Sequence, residues 1–294
     1  MTKTTFINLN NGVMNSYPGH KLTGKQRYKK LYHFTSFETF VRIWSLKELK
    51  FGKVSNVNDI QESLKEVRVS FNQLSLMCAY QDILSSYKQI SFTMDNDSYL
   101  QGYMNTMMWG YYGDKSHGVC LEFDFDKLTF PNGTLKGIVR YTKFPNRITE
   151  FPADIKTIRD VKCFISKNAK KLFFSKQIGW KEENEFRVLN NSLDYLNIGD
   201  AITCVYLTSC ESKECQMVEQ LVNNVIPVKF LSYYGDLPIA ADTKRERDKL
   251  LKAKMDKNNV LNSFYQQARR HYEKHKYDDN ISLLLDRYEI TSVH

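Results

Sequence analysis

The sequence predicts an α+β fold: a mixed, mostly antiparallel sheet core with flanking helices and a C-terminal helical appendage. Apolar segments of strand length alternate with helical patterns of varied length, without the regular period of a doubly wound sheet. Tyr and Phe occur 18 times each, and aromatic residues favour strands. After residue 243 the pattern becomes charged and helical, which indicates a separate appendage.

The composition and residue pattern divide the chain into three predicted segments. Residues 1–27 are polar and carry Asn-Asn-Gly and Tyr-Pro-Gly turn signals, which predict a flexible N-terminal arm. Residues 28–242 form the predicted α+β domain. Residues 243–294 form the predicted helical appendage, in which Leu261, Phe264, Ala268 and Tyr272 recur at helical spacing.

The domain is predicted to begin with a strand over 31–34 and a helix over 37–44. Phe37, Phe40, Val41 and Trp44 recur at i, i+3, i+4 and i+7, and Ser36 is placed to cap the helix. Extended segments are then predicted at 49–51, 90–94, 118–123, 137–141, 186–189, 201–207 and 227–232. Helices are predicted at 64–88, 103–112, 161–178 and 210–225.

Composition excludes several classes of protein. The apolar fraction of 42% is that of a folded globular chain. The net charge of +9 would favour polyanionic partners, but without a long basic run a solubility surface is preferred. Six cysteines without a Cys-x-x-Cys pair, and no apolar run near 18 residues, predict a cytoplasmic protein with reduced thiols that does not enter a membrane. Phosphate-loop, Gly-x-Gly-x-x-Gly, Gly-x-Ser-x-Gly and kinase signatures do not occur.

The candidate site residues come from two segments far apart in the chain. His33 and Thr35 lie on the first predicted strand, and Glu183 and Glu185 precede a later one. Because residues i and i+2 of a strand share a face, each pair would point one way. A His that binds a ribose and a Glu that stabilises charge on it suit enzymes acting on nicotinamide dinucleotide. The alternative is a strand-capping His and a solvated acidic edge.

Further candidates are aromatic or acidic. Trp109 and Tyr112 lie three apart on a predicted helix and share a face, either in the core or, with Tyr111, as the wall of a cleft for a flat ring. Glu122, Asp124 and Asp126 alternate along a predicted strand, as a solvated face or as the carboxylates of a nuclease. Asn58, Asp59 and Glu62 belong either to a turn or to a ligand loop.

Together these motifs resemble the bacterial domain-of-unknown-function family 2971. The resemblance covers about residues 28–235 and excludes the tail. It rests on Tyr32-His33-Phe34, on Asn58-Asp59 with Glu62, on Met108-Trp109 to Tyr112, on Gly118-Val119-Cys120-Leu121-Glu122-Phe123, and on Lys176 with Trp180, Glu183, Glu185 and Arg187. The chain departs from the family in flanking Asn58-Asp59 with Val57 and Ile60, where Phe and Pro are usual.

A looser likeness connects the same order of motifs with ADP-ribosyltransferases. It implies that His33 holds the ribose of NAD, that Tyr112 stacks on nicotinamide, and that Glu185 stabilises an oxocarbenium-like transition state while Glu183 faces the acceptor. NAD would be a substrate. The remaining residues expected to bind NAD are Thr35, Trp109, Lys176 and Arg187, with Arg187 or Lys176 at its pyrophosphate.

We therefore expect an NAD-consuming ADP-ribosyltransferase-like enzyme or NAD glycohydrolase, of the bacterial toxin or phage-defence kind. Its acceptor would be water, a protein or a nucleic acid. One alternative is a non-catalytic binding or regulatory module of a defence system, which docks a partner protein through the C-terminal helices. The other is a metal-dependent nuclease that uses Asp59, Glu122 or Glu185 with the basic surface.

Overall fold

The computed structural model describes residues 29–54, 70, 73–96, 101–145, 150–208, 212–222, 225–234, 237–243 and 245–250, and scattered positions between 252 and 270. The predicted arm, the loop with Asn58, Asp59 and Glu62, and most of the predicted appendage lie outside these residues. The chain divides into two compact units, Met1–Val228 and Lys229–His294. The domain boundary predicted at residue 242 stays a prediction.

The first unit contains the strands β1 (Lys30–Thr35), β2 (Glu48–Lys50), β3 (Gly52–Lys53), β4 (Lys88–Met94), β5 (Val119–Asp124), β6 (Leu135–Ile138), β7 (Arg140–Thr142), β8 (Ser175–Gln177), β9 (Glu185–Asn190), β10 (Tyr195–Asn197) and β11 (Ile202–Leu207). Its helices are α1 (Phe37–Leu46), α2 (Leu74–Ser86), α3 (Thr106–Tyr111), α4 (Ile158–Lys167), α5 (Ala169–Phe173) and α6 (Lys213–Val222). Short 3₁₀ helices include Phe125–Lys127 and Ile178–Glu183.

The main sheet of this unit has the strand order β11-β5-β1-β4-β9-β6, with β3 also beside β4. All of these neighbours run antiparallel. Two small sheets lie apart, an antiparallel pair of β2 and β10 and a parallel pair of β7 and β8. The predicted α+β class with a mixed, mostly antiparallel sheet is therefore confirmed.

The first helix forms as its sequence predicts. Ser36 is the N-cap, and its hydroxyl accepts a hydrogen bond from the backbone N–H of Thr39. The helix buries Phe40 and Ile43 and ends at Lys47, which adopts a left-handed conformation.

The single helix predicted over 161–178 is wrong in extent. The chain forms α4 and α5 and then the strand β8. Asn168 separates the two helices, and its side-chain amide donates to the carbonyl of Phe164 four residues earlier. Such a local bond competes with the helical backbone pattern.

Helices α2, α4 and α5 share a hydrophobic core. Tyr80 of α2 packs edge-on against Phe151, and Phe151 contacts Phe164 of α4. Phe173 of α5 is fully buried in the same cluster, and Leu189 of β9 joins it from the sheet. This cluster covers part of the sheet face and leaves β9 buried along its whole length.

The prediction of a solvated acidic face formed by Glu122, Asp124 and Asp126 is wrong for Glu122. Glu122 is only 5% exposed, because β5 lies between β1 and β11. Its carboxylate accepts hydrogen bonds from Thr203 and Tyr206 and lies 3.0 Å from the Lys30 ammonium. The strand ends at Asp124, so the alternation does not reach Asp126.

The second unit begins within β12 (Val228–Tyr234), which forms an antiparallel hairpin with β13 (Leu237–Ala241). Residues 245–250 are helical, with Arg247 mostly buried and its guanidinium paired with Asp248. Within the part of the chain that the structure describes, no helix is long and apolar enough to cross a membrane.

Candidate functional site

A cleft opens where β1 and β4 part. The two strands pair at Leu31 with Met94 and at Tyr32 with Thr93, and that register does not continue past Tyr32 along β1. The cleft has a volume of about 290 Å³ and is lined by Tyr32 to Phe34 on one side and by 89–93 on the other. An interrupted ladder leaves backbone groups and side chains accessible, as a ligand site requires.

Five of the predicted site residues line this cleft: His33, Tyr112, Lys176, Glu183 and Glu185. They come from β1, the end of α3, β8, a 3₁₀ helix and the start of β9. The fold therefore brings together residues that are up to about 150 positions apart.

His33 bridges the opening between the strands. Its Nδ1 lies 3.1 Å from the carbonyl oxygen of Ser91. Because a carbonyl only accepts hydrogen bonds, Nδ1 carries the proton, and Nε2 of the neutral ring is an acceptor. Burial lowers the pKa of His33, although the bond to Ser91 opposes this shift, so the neutral ring is favoured.

Alternation along β1 places the His33 ring on the opposite sheet face from Tyr32. Glu185 pairs with Thr93, and Thr93 pairs with Tyr32, so Glu185 shares the face of Tyr32. His33 and Glu185 therefore approach the same cleft from different faces of the sheet. They meet at the cleft only because β1 and β4 separate there.

Glu185 is held by a two-point ion pair. Arg187 donates from Nε to one carboxylate oxygen at 2.8 Å and from Nη2 to the other at 2.6 Å. Burial alone would raise the pKa of Glu185, but Arg187, the Lys176 charge and the hydroxyl of Ser91 together outweigh burial, so the pKa is lowered. Glu185 is therefore a fixed, ionised carboxylate at the cleft.

Arg187 itself faces inward. It is 1% exposed, and its Nη1 donates to the carbonyl of Phe173 at 2.7 Å. Arg187 is thus the counterion of Glu185, a role that its position two residues away also allowed. Its role at a pyrophosphate stays a prediction.

The i, i+2 spacing predicted that Glu183 and Glu185 share one face of a strand, and this prediction is wrong. Glu183 ends a 3₁₀ helix, and Asn184 has a left-handed conformation with φ 44°. The side chain of Asn184 donates to the carbonyls of Met94 and Asp95, which fixes the turn against the end of β4. The strand then begins at Glu185. Both carboxylates nevertheless line the cleft.

Glu183 is buried between two donors. The Tyr112 hydroxyl donates to one oxygen at 2.8 Å, and the Lys176 ammonium lies 2.6 Å from the other. Burial raises the pKa of Glu183 and the Lys176 charge opposes this. The two glutamates thus differ in proton affinity, which is a common arrangement of acid and base groups in active sites.

Lys176 is 4% exposed, and its ammonium also lies 4.8 Å from the centre of the Trp180 ring. These contacts orient the Lys176 ammonium towards Glu183. The predicted role of Lys176 at a pyrophosphate stays a prediction. Lys176 and Tyr112 fix the position of Glu183.

Trp109 and Thr35 do not line the cleft. Trp109 is fully buried, its indole N–H donates to the carbonyl of Tyr103 at 2.7 Å, and its ring packs edge-on against Phe34. Thr35 is 6% exposed and pairs with Val119 of β5. Trp109 therefore takes the core role that its sequence position left open.

Several lining residues were not predicted. Gln89, Ser91 and Thr93 form a polar stripe on β4, and Lys50 and Lys53 lie near its start. The alternating Gln-x-Ser-x-Thr pattern within 88–94 was the signal that could have found the stripe, since a strand shows every second residue on one face. Lys50 and Lys53 carried no comparable signal.

The nuclease alternative depends on clustered carboxylates. Within the described residues, no group of three or more His, Cys, Asp or Glu side chains is arranged to hold a metal ion. Asp59 lies outside those residues. Glu122 is engaged by Lys30, Thr203 and Tyr206, and Glu185 by Arg187.

Comparison with known families supports the resemblance over a central segment. No curated protein gives a match to the chain. A family model matches residues 108–188, which include Tyr112, Lys176, Glu183, Glu185 and Arg187 but not His33. The description of this family is "Protein of unknown function (DUF2971)".

Proposed function

We propose that the cleft between β1 and β4 binds NAD and cleaves its nicotinamide–ribose bond, as an ADP-ribosyltransferase-like enzyme does. The observation that carries this proposal is the convergence of His33, Tyr112, Glu183 and Glu185 on one cleft.

Glu185 has the properties that such a reaction needs. Cleavage of the bond develops positive charge on the ribose while nicotinamide leaves as a neutral molecule. A buried carboxylate that is already ionised and oriented stabilises that charge more in the transition state than in the ground state. Arg187 and Ser91 occupy part of its hydrogen-bonding capacity, and a carboxylate has about four acceptor positions.

Glu183 would act on the acceptor side. Its raised pKa and its contacts with Tyr112 and Lys176 suit a group that takes a proton from the attacking nucleophile. The neutral His33 ring would accept a hydrogen bond from a ribose hydroxyl through Nε2. These assignments give each residue one role in a single displacement at the ribose.

The decisive experiment measures nicotinamide release from NAD by purified protein, with and without cell extract as a source of acceptors. Glu185→Gln keeps the shape of the side chain but removes its charge. We expect it to lower the rate about 100- to 1,000-fold, as loss of one well-placed electrostatic stabiliser does. The matched control is Glu182→Gln, since Glu182 is exposed, is close in sequence and does not line the cleft.

The Gln variant also leaves Arg187 without a full counterion, and breaking a buried pair costs about 3–5 kcal/mol. The double variant Glu185→Gln/Arg187→Met removes both charges and should recover folding without recovering activity. Wild-type protein that releases no nicotinamide, alone or with extract, would refute the proposed reaction. Equal rates in wild type and a folded Glu185→Gln variant would refute the role of Glu185.

A further inference from the structure

We propose that Lys50 and Lys53 form an anion subsite of the cleft that binds a nucleoside diphosphate, with Gln89 and Thr93 as acceptors for hydroxyl groups between it and Glu185. The identity of the ligand as a dinucleotide rests on the proposed function. The anion subsite itself rests on the arrangement of charge and polar groups in the cleft.

The two ends of the cleft differ in charge. At one end are Glu183 and Glu185, each held by a buried cation. At the other, Gly52 and Lys53 of β3 pair with Gln89 and Lys88 of β4. Lys50 and Lys53 are both exposed and both line the cleft.

Two of the lysines at this second end, Lys50 and Lys53, can approach a ligand in the cleft. Lys88 is bound to Asp194 at 2.5 Å, and Lys50 lies near enough to Asp194 to act on it more weakly. Among the described residues, neither Lys50 nor Lys53 has a carboxylate within salt-bridge distance. A divalent anion placed between two such ammonium groups is attracted by both.

Strand β4 connects the two ends. Gln89 is at the level of Gly52, and Thr93 is opposite Glu185. Four residues of extended strand span roughly 13 Å. A ligand that fits must therefore be elongated, with its anionic group well separated from the part that carries developing positive charge.

Two atoms of this strip lack partners. Within the described residues, Thr93 Oγ1 and Gln89 Oε1 are buried and make no hydrogen bond. Thr93 is only 2% exposed and lines the cleft. A buried polar atom without a hydrogen-bond partner destabilises the protein, and a ligand hydroxyl that bonds to it would remove that penalty. A sugar between a diphosphate and a reacting carbon supplies such hydroxyl groups.

The test compares ligands that differ in one group. Calorimetric titration of ADP-ribose, ADP and adenosine into wild type is repeated with Lys50→Gln/Lys53→Gln. We expect at least tenfold weaker binding of ADP-ribose and ADP and unchanged binding of adenosine. The loss should shrink as salt rises, because salt screens exposed charges. Lys162→Gln/Lys170→Gln is the control, because these exposed lysines of α4 and α5 lie away from the cleft lining and the change in net charge is equal.

Equal losses in both double variants would show a general charge effect and overturn the subsite. Binding of ADP-ribose that is unaffected by the cleft variant, or absent in wild type at millimolar concentration, would overturn it too. Nicotinamide release is measured separately. Diphosphate binding that depends on Lys50 and Lys53 in a protein that releases no nicotinamide would refute the proposed reaction and uphold the subsite.

Discussion

At the scale of single residues, the cleft depends on pairs of opposite charge that are removed from water. Lys176 and Glu183 are 5% and 4% exposed in their side chains and 2.6 Å apart. Removing one partner of a buried pair leaves the other uncompensated, whereas removing both avoids that cost. The pair is therefore coupled, and its coupling can be measured.

We expect Lys176→Met and Glu183→Gln each to lower the free energy of unfolding by about 3 kcal/mol. The double variant should lose less than the sum of the two, by about 1–3 kcal/mol. Urea denaturation of wild type, the two single variants and the double variant measures this double-mutant cycle. Additive losses would show that the two groups do not interact in solution.

Substitution of Thr93 should raise stability instead of lowering it, because the Thr93 hydroxyl has no hydrogen-bond partner among the described residues. Thr93→Val keeps the shape and removes the buried polar atom, so the free energy of unfolding should rise by about 1 kcal/mol. If the hydroxyl serves a ligand, the same variant should bind ADP-ribose more weakly while it binds ADP as wild type does. A destabilised Thr93→Val protein would indicate that the hydroxyl already has a partner, such as ordered water.

At the scale of secondary-structure elements, the position of the carboxylates depends on the turn between a 3₁₀ helix and β9. Asn184 adopts φ 44° there and donates two hydrogen bonds to the end of β4. Asn tolerates this conformation better than most residues. The turn thus aligns Glu183 and Glu185 with the cleft by tying β9 to its neighbour.

Asn184→Ala should lower the free energy of unfolding by about 1–3 kcal/mol, because the variant loses both hydrogen bonds and places alanine, which has a Cβ atom, at positive φ. Asn184→Gly loses the same bonds without the backbone strain, so the difference between the two variants isolates the strain. Denaturant midpoints measure both. Equal midpoints would mean that the hydrogen bonds alone account for the loss.

The elements also explain why the sequence predicted the site in part. Local patterns predicted β1, α1 and most of the sheet, because their periodicity arises from burial of one face. The opening between β1 and β4 has no local signal, because it depends on which strands are neighbours and where their ladder stops. The left-handed conformation of Asn184 likewise has no local signal. Because of this turn, Glu183 and Glu185 do not share one strand face as their spacing predicted.

At the scale of the whole molecule, the fold class could be predicted because strand and helix patterns are summed over many residues. Lys50 and Lys53 could not be predicted as cleft residues, since exposed lysines occur on most protein surfaces. The expected roles of the protein in toxicity or phage defence, and of its tail in docking a partner, depend on other molecules and stay predictions.

The stability of the whole molecule should depend on pH through His33. Burial lowers its pKa below the ordinary value of 6.5, so between these two pKa values the unfolded chain binds more protons than the folded one. Stability from the neutral ring is therefore fully present above about pH 6.5 and is lost as pH falls towards the folded pKa, by at most about 1.4 kcal/mol per pH unit.

His33→Gln can still donate to the carbonyl of Ser91 but cannot take up a proton. We expect urea midpoints of wild type to fall between pH 7.5 and 5.5 by more than those of His33→Gln. His117→Gln is the control, because His117 is an exposed residue outside the cleft lining, and it should follow wild type. Burial raises the pKa of Glu183, and the pKa of Glu185 is lowered, but both groups are present in wild type and in His33→Gln, so their titration cancels in the comparison. The same acid-induced loss in His33→Gln and wild type would show that His33 is not held neutral, and Nε2 could then not serve as the acceptor for a ribose hydroxyl.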